Sequence, residues 1–339
     1  VINGVLNIYK EAGFTSHDVV AKLRGIVKQK KIGHTGTLDP AAEGVLPVCL
    51  GNATRLCDLL TDWDKTYEAV LLLGRTTDTQ DTTGETLSEE KVTVEEEKVR
   101  QVMLEFQGDL EQIPPMYSAL KVEGKKLYEL AREGREVERK SRPIHIEKLE
   151  ILEMELPRVR FRVTCSKGTY IRTLCHDMGE RLGCGGCMEK LLRTRVGLFS
   201  VEESLRLSQV AALEKEQRLG QGLWPVDALF PGRGRMVLKE EGDKPLYNGN
   251  PFPKGLVEEF LPAGNVPASK EPVSGRSWSL SNRETSWDSK TQEGGKEWEE
   301  TRTDQVLVYD SRRHFVGIYA WIPEKGLYKP VKMFLERDS

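Results

Sequence analysis

Eight consecutive residues, Arg158-Val-Arg-Phe-Arg-Val-Thr-Cys165, alternate without a break between polar and apolar side chains. A period of two marks a strand, with Val159, Phe161, Val163 and Cys165 on the buried face and Arg158, Arg160, Arg162 and Thr164 on the other. A strand this one-sided demands a sheet laid on a core. Short strands to build it are expected at 4–8, 45–50 and 66–73, with more at 236–239, 306–309 and 315–321. Thr15-Ser-His-Asp18 reads as a capping box, opening a helix in which Val19, Val20, Leu23, Ile26 and Val27 recur at helical spacing. Residues 53–60 and the acidic stretch 93–106 read as further helices. No βαβ rhythm links these elements, so the fold class is α+β.

A length of 339 residues suggests two domains. Phe230-Pro-Gly-Arg-Gly-Arg235 looks like the junction, giving units of 1–229 and 230–339. Within the second, residues 262–304 are rich in Ser, Gly, Glu and Lys and too poor in apolar periodicity to offset ordering entropy, so a mobile insertion is expected there. Trp278, Trp287 and Trp298 sit oddly in such a tract. No apolar run reaches the ~18 residues a membrane-spanning helix needs, and Val1-Ile-Asn-Gly-Val-Leu6 lacks the features of a signal peptide. Six cysteines in a long chain without a signal read as reduced thiols in the cytoplasm. Cys184-Gly-Gly-Cys187 is a single knuckle, short of the four ligands of structural zinc, and no metal site is expected.

Net charge is only −3, so total charge does not point to nucleic acid, but its distribution is uneven. Residues 158–195 hold nine Lys/Arg against three acids, and residues 76–111 three against eleven. Local field attracts phosphates, so 158–195 is either a basic face or, as charge runs usually are, a solvated surface.

Two stretches concentrate groups able to do chemistry. Gly33-His-Thr-Gly-Thr-Leu-Asp39-Pro40 combines a carboxylate, an imidazole and two hydroxyls with glycines that let a ligand approach the backbone. Pro40 biases Asp39 towards an extended backbone. A tight turn bonded to its own side chains is the other reading. The loop is not a Walker motif, since no GxxxxGK[ST] occurs. Ser166-Lys-Gly-Thr-Tyr170-Ile-Arg172 follows the basic strand; if extended, it points Tyr170 and Arg172 to one side, and if helical it sets them about 200° apart.

Extended to residues 33–48 (GHTGTLDPAAEGVLPV), the Asp39 loop resembles the catalytic motif of the TruB family of tRNA pseudouridine synthases. The resemblance continues, in the family's order, through Lys65-Thr-Tyr67-Glu-Ala69, Thr77-Asp-Thr-Gln-Asp81-Thr-Thr-Gly84 and Pro114-Pro-Met-Tyr-Ser-Ala119. It goes on through Leu127-Tyr-Glu-Leu-Ala-Arg-Glu-Gly134, Ser166–Leu174 and Leu191-Leu-Arg-Thr-Arg-Val-Gly197. Residues 231–339 faintly resemble the family's PUA-like domain. A departure is Lys10-Glu11, where the family usually has Lys-Pro.

The resemblance implies a pseudouridine-synthase fold: a mixed, largely antiparallel sheet flanked by helices and loops, plus a small β-rich PUA-like C-terminal domain. It implies that the T-loop uridine of tRNA, position 55, is flipped out, its C1′–N1 bond broken, and C1′ rejoined to C5. No redox step or external nucleophile is required, so no cofactor is implied. Asp39 matches the essential aspartate, Tyr67 the tyrosine that stacks on the base, Tyr170 the residue that moves the C5 proton, and Arg172 the aspartate's partner. His34 and Leu191 match positions shaping the uridine pocket and T-loop contacts. Lys10, Thr35, Gly36, Thr37, Leu38, Asp81, Lys121, Lys167 and Arg193 complete the expected substrate-contacting set. Residues 121–142 are expected as an inserted, mobile segment whose Lys121, Lys125, Lys126, Arg132, Arg135, Arg139, Lys140 and Arg142 meet the RNA backbone. The partner expected is the tRNA T-stem-loop, with no protein partner, no membrane and a monomeric chain. Two alternatives fit much of this: an RNA-binding chaperone, and the catalytic subunit of a guide-RNA-dependent pseudouridine synthase.

Overall fold

Thr15 closes its capping box as expected: its hydroxyl accepts the Asp18 N–H at 3.1 Å and its own N–H meets the Asp18 carboxylate at 2.8 Å. The helix α1 (Ser16–Val27) therefore starts where the sequence placed it, following strand β1 (Gly4–Lys10) and preceding β2 (Ile32–His34) and β3 (Glu43–Leu50). The computed structural model describes residues 1–122, 124–262 and 305–335. All but the first residue of the expected insertion 262–304, with its three tryptophans, lies outside the described residues. The helix expected over 53–60 is instead a 3-10 turn, Gly51–Leu56, running into a short α2 (Cys57–Thr61). Then come β4 (Lys65–Leu73), the hairpin β5 (Arg75–Thr77) and β6 (Thr86–Glu89), α3 (Glu96–Glu105) and β7 (Gly108–Gln112).

The segment 121–142 folds as a two-stranded hairpin, β8 (Lys121–Val122) and β9 (Lys125–Lys126), followed by α4 (Leu127–Arg132). Leu127 and Leu130 of this helix are buried. After it run β10 (Arg142–Glu155), β11 (Arg158–Cys165), α5 (Ile171–Leu182), β12 (Gly186–Val196), β13 (Phe199–Ser200), α6 (Leu207–Lys215) and β14 (Leu223–Trp224). The remaining elements are β15 (Arg235–Leu238), α7 (Glu240–Tyr247), β16 (Phe252–Pro253), β17 (Val257–Leu261), β18 (Gln305–Tyr309), β19 (Phe315–Ile322) and β20 (Leu327–Met333).

Among the described residues the first fourteen strands yield one ten-stranded sheet in the order β14-β1-β3-β12-β4-β11-β10-β7, with β2 on β3 and β13 on β12. It is antiparallel except where β12 meets β3 in parallel, at Leu192↔Glu43 and Arg193↔Gly44. The last six form a second sheet, β16-β20-β19-β18-β15-β17. This is the mixed, largely antiparallel α+β architecture expected, with a β domain at the C-terminal end.

In β11, Val159, Phe161 and Val163 are fully buried and Cys165 nearly so, as the alternation requires. The outward arginines do not make a basic face. Arg158 is paired in bidentate fashion with Glu189 of β12, Arg162 with Glu68 of β4 at 2.7 Å, and Arg160 with Glu68 at 3.1 Å and Glu153 at 3.6 Å. Glutamates from β4, β10 and β12 neutralise the stripe. Cys184-Gly-Gly-Cys187 is the exit of α5: Gly183 caps the helix in the left-handed region and Gly185 repeats that conformation before Cys187 enters β12.

Candidate active site

Asp39 sits in the bend between β2 and β3, fixed from three directions. Its carbonyl accepts the Ala42 N–H at 3.1 Å, closing the turn. Ser16, at the start of α1, accepts the Leu38 N–H at 2.9 Å through its hydroxyl oxygen. From β1, the Lys10 ammonium donates to the carbonyls of Glu11, Pro40 and Ala42 at 3.1, 3.2 and 2.6 Å. Lys10 is fully buried, and burial pulls its pKa down to about 8 against the opposing pull of Glu43 and Asp39. The expectation that Lys10 touches RNA is therefore corrected: its three donors are used inside the protein, bracing the loop that carries Asp39.

Across the loop stands Arg172, the second residue of α5. Its Nε lies 2.9 Å from Asp39 Oδ2 and its Nη2 donates to Oδ1 at 3.4 Å, a side-on, two-point pair. The other guanidinium donors reach the carbonyls of Thr79 (3.0 Å) and Tyr117 (2.8 Å). The Arg172 side chain is 6% exposed and that of Asp39 38%, so the carboxylate faces outward while the guanidinium is locked behind it. Burial raises the Asp39 pKa from the ordinary carboxylate value; Arg172 and Lys10 oppose the shift and Asp81 adds to it. The guanidinium thus limits the penalty of an ionised carboxylate without cancelling it.

Tyr170 and Arg172 meet the site by neither of the two routes expected. Tyr170 is the N-cap of α5, extended at φ −97° and ψ 110°, while Arg172 is already helical. The break between them lets both serve one place. Tyr170 is partly exposed, and burial pushes its phenol up, opposed by the Ser118 hydroxyl and Arg172. Its backbone is held on both sides by one side chain: Gln112, at the end of β7, accepts the Tyr170 N–H at 2.8 Å and donates to the Tyr170 carbonyl at 3.0 Å.

Tyr67 and Arg193 face each other across β4 and β12, and Arg193 faces Gly44 across β12 and β3. Arg193 is buried, donating from Nε to the Val45 carbonyl at 2.7 Å and from Nη2 to the Gly36 carbonyl at 3.4 Å. It ties the glycine-rich loop to the sheet instead of reaching solvent. Tyr67 is 8% exposed; burial raises its phenol while the Arg193 charge lowers it. His34 stands edge-on to His17 at 5.6 Å between ring centroids, and burial with that neighbour pulls its pKa down, favouring the neutral imidazole.

The other expected contacts divide by exposure. Thr37 is exposed on the loop, Gly36 and Leu191 are partly buried, and Thr35 and Leu38 are buried beneath it. Asp81, expected among the RNA contacts, is bonded chiefly within its own turn. Its Oδ1 accepts from the Thr79 hydroxyl, the Thr83 N–H and the Thr83 hydroxyl, and its Oδ2 lies 3.9 Å from Arg172. Lys167 pairs with Asp62 on the surface at 2.6 Å. Lys121 is exposed at the β8–β9 hairpin, while Lys125 and Arg135 share Glu133 and Arg139 pairs with Glu136. Sequence reasoning missed Gln112 and the Thr79 and Tyr117 carbonyls. The only signal was that Tyr117 and Thr79 lie inside two of the resembling blocks.

A mixed sheet that lays an aspartate-bearing loop against an arginine at a helix start, with a β domain beyond it, defines a pseudouridine-synthase fold. Solved structures agree: a chain of the crystal structure of a Cbf5-Nop10-Gar1 complex superposes with a TM-score of 0.67 at 27% identity, over 99% of this chain and 86% of that one. A chain of the H/ACA RNP bound to a substrate RNA containing 2′-deoxyuridine gives 0.66 at 26%, with the same coverage. The family model described as TruB family pseudouridylate synthase (N terminal domain) matches residues 24–171, and that of the tRNA pseudouridylate synthase B C-terminal domain matches residues 172–230. The tRNA pseudouridine synthase B of Lachnoclostridium phytofermentans is 51% identical over 98% of this chain and the whole of that protein. That of Clostridium novyi is 52% identical over 73% of this chain and 84% of its own length. The chain belongs to the TruB family of pseudouridylate synthases.

Proposed function

We propose that this protein converts the T-loop uridine of tRNA, position 55, to pseudouridine, with Asp39 as its catalytic carboxylate. The observation that carries the assignment of Asp39 is its pairing: a partly exposed carboxylate backed by a buried guanidinium that two backbone carbonyls hold in place. Breaking the C1′–N1 bond leaves positive character at C1′, which a carboxylate at the sugar stabilises. A uridine inside a folded loop must leave its stack to reach Asp39, and an aromatic face such as that of Tyr67 recovers part of the stacking energy lost. The freed base turns, C5 bonds to C1′, the C5 proton departs by way of Tyr170, and N1 ends protonated. The product is an isomer of the substrate, so nothing else enters or leaves.

A chain that only remodels RNA has no use for a carboxylate at its binding surface, where it repels phosphate. Identity of about half the residues with full-length tRNA pseudouridine synthase B, against about a quarter with chains of the H/ACA RNP and the Cbf5-Nop10-Gar1 complex, favours direct action on tRNA without accessory subunits. The test is an unmodified T-stem-loop transcript with Asp39→Asn. Turnover is expected to fall at least about 10³-fold, as for loss of a covalent or electrostatic catalytic group, while RNA affinity stays within about threefold of the parent. Parent-level turnover by the variant would remove Asp39 from the chemistry.

A further inference from the structure

The block Pro114–Ala119 and the end of β7 just before it grip the site at two points. Gln112 is 3% exposed, and its carboxamide uses one acceptor and one donor on the two backbone groups of the same residue, Tyr170. Five residues on, the Tyr117 carbonyl accepts from Arg172 Nη2 at 2.8 Å. Tyr170 has no side-chain cap of its own; its carbonyl already accepts the Leu174 N–H of α5 at 3.0 Å, so the Gln112 donor is a second bond on that oxygen. The N–H groups at a helix start have no intrahelical partner, so the Tyr170 N–H must find its acceptor elsewhere. Gln112 supplies it from another element: β7 is bonded to β10 in register, Gln112 opposite Arg142, so the clasp refers Tyr170 to the edge of the large sheet.

We propose that Gln112 is a positioning residue for the reaction, its two-point clasp on the Tyr170 backbone fixing where the phenol stands over C5 of the turned base. The inference rests on Tyr170 as the residue that moves the C5 proton. When C5 has joined C1′, the C5–H electron pair returns to the ring as the proton passes to the phenol oxygen, and a proton from solvent completes N1. A neutral phenol relays such a proton, accepting on its lone pair while releasing its own hydrogen to water. Relay demands short, aligned contacts, and a displacement of about 1 Å costs up to 10²-fold in rate. Glutamate at this position keeps the acceptor for the Tyr170 N–H but turns the donor to the carbonyl into a repulsion, so Gln112→Glu tests the clasp with little change of volume.

The experiment compares the parent protein, Gln112→Ala, Gln112→Glu and Tyr170→Phe on three T-stem-loop transcripts: unmodified, deuterated at C5 of the target uridine, and carrying 5-fluorouridine there. Fluorine cannot leave as a proton, so the third transcript reports bond cleavage and rejoining alone. For both Gln112 variants the expected result is a fall in kcat of about 10–10²-fold with KM within about threefold. A C5 deuterium isotope effect larger than the parent's is expected with it, and a rate of rearrangement of the fluorinated substrate within about twofold of the parent's. Melting curves exclude the trivial loss of fold. Parent-level kcat in Gln112→Ala overturns the proposal, and so does an equal loss on the fluorinated transcript, which would make Gln112 a general structural residue. Tyr170→Phe is read separately: if it shows no enlarged isotope effect, the assignment of Tyr170 falls, whatever Gln112 does.

Discussion

Arg172 spends its donors on Asp39 and on the carbonyls of Thr79 and Tyr117, so the protein itself holds it in place. Its electrostatic effect on Asp39 has a testable sign. Burial and Asp81 raise the carboxyl's pKa, whereas Arg172 and, less strongly, Lys10 lower it. Removing the guanidinium leaves burial and Asp81 with only Lys10 against them, so the pKa climbs further. Activity that needs the ionised carboxylate is lost as pH falls through that pKa. In Arg172→Gln the acid limb of the kcat–pH profile is therefore expected to move to higher pH, with activity near neutrality down about 10²-fold and part of it regained on raising the pH. A uniform loss across pH would mean that Arg172 only shapes the loop. At this scale the sequence was informative about residue types and silent about spending. Asp39, Tyr170 and Arg172 stood out in their blocks, but nothing in Lys10-Glu11 says that the ammonium turns inward onto three carbonyls. Nor does Thr-Tyr170-Ile-Arg172 say that a helix starts between its two functional side chains, because most of the bonds deciding both come from residues 30 to 58 positions away.

Strand β12 joins the site together: it lies between β4, which carries Tyr67, and β3, which leads out of the Asp39 loop. The β12–β3 contact is the one parallel pairing of the large sheet among the described residues, only two residue pairs long, and it depends on Gly44. Gly44 has φ +106°, and a Cβ there would stand 2.2 Å from the Arg193 carbonyl oxygen, inside backbone that cannot yield. Gly44→Ala is expected to cost about 1–3 kcal/mol from overpacking, with about 1–2 more from the left-handed backbone. It also displaces Arg193 and the loop it tethers. Urea unfolding should show the lost stability, and the folded fraction should turn over the transcript more slowly than the parent; unchanged stability would contradict the close approach. Alternation in 158–165 foretold β11 and its buried face because that pattern is local. It could not reveal that Glu68, Glu150, Glu153 and Glu189 face the arginines, because the register of neighbouring strands depends on the whole sheet. Strand β10 escaped notice for a related reason: its pairing with β11 shifts twice, between Ile146 and Lys148 and between Ile151 and Glu153, which breaks the simple period of two.

The two sheets are not independent bodies on a tether. Val237, Leu307, Tyr309, Ile318 and Phe334 of the second sheet and its exit pack into one buried cluster with Val5, Val45, Cys49, Phe199 and Trp224 of the first. Phe230, the start of the sequence's apparent junction, is itself in that cluster. The Tyr309 hydroxyl donates to the buried Asp227 carboxylate at 2.9 Å, and Asn52 and Arg55, just after β3, donate to the carbonyls of Phe334 and Met333. Separating the sheets would expose an apolar face that each now hides with the other's side chains, at about 25 cal/mol for every Å² uncovered. Unfolding is therefore expected to be a single transition. Hydrogen exchange in β4 and β12 should report the same opening free energy as in β18 and β19, and Tyr309→Phe, which strips the buried Asp227 of a donor, should lower both together by about 1–3 kcal/mol. Exchange that opens the second sheet at markedly lower free energy, with the first sheet unmoved by Tyr309→Phe, would show two units that fold separately. In that case the support β3 takes from the C-terminal sheet, one strand away from the Asp39 loop, would not reach the site.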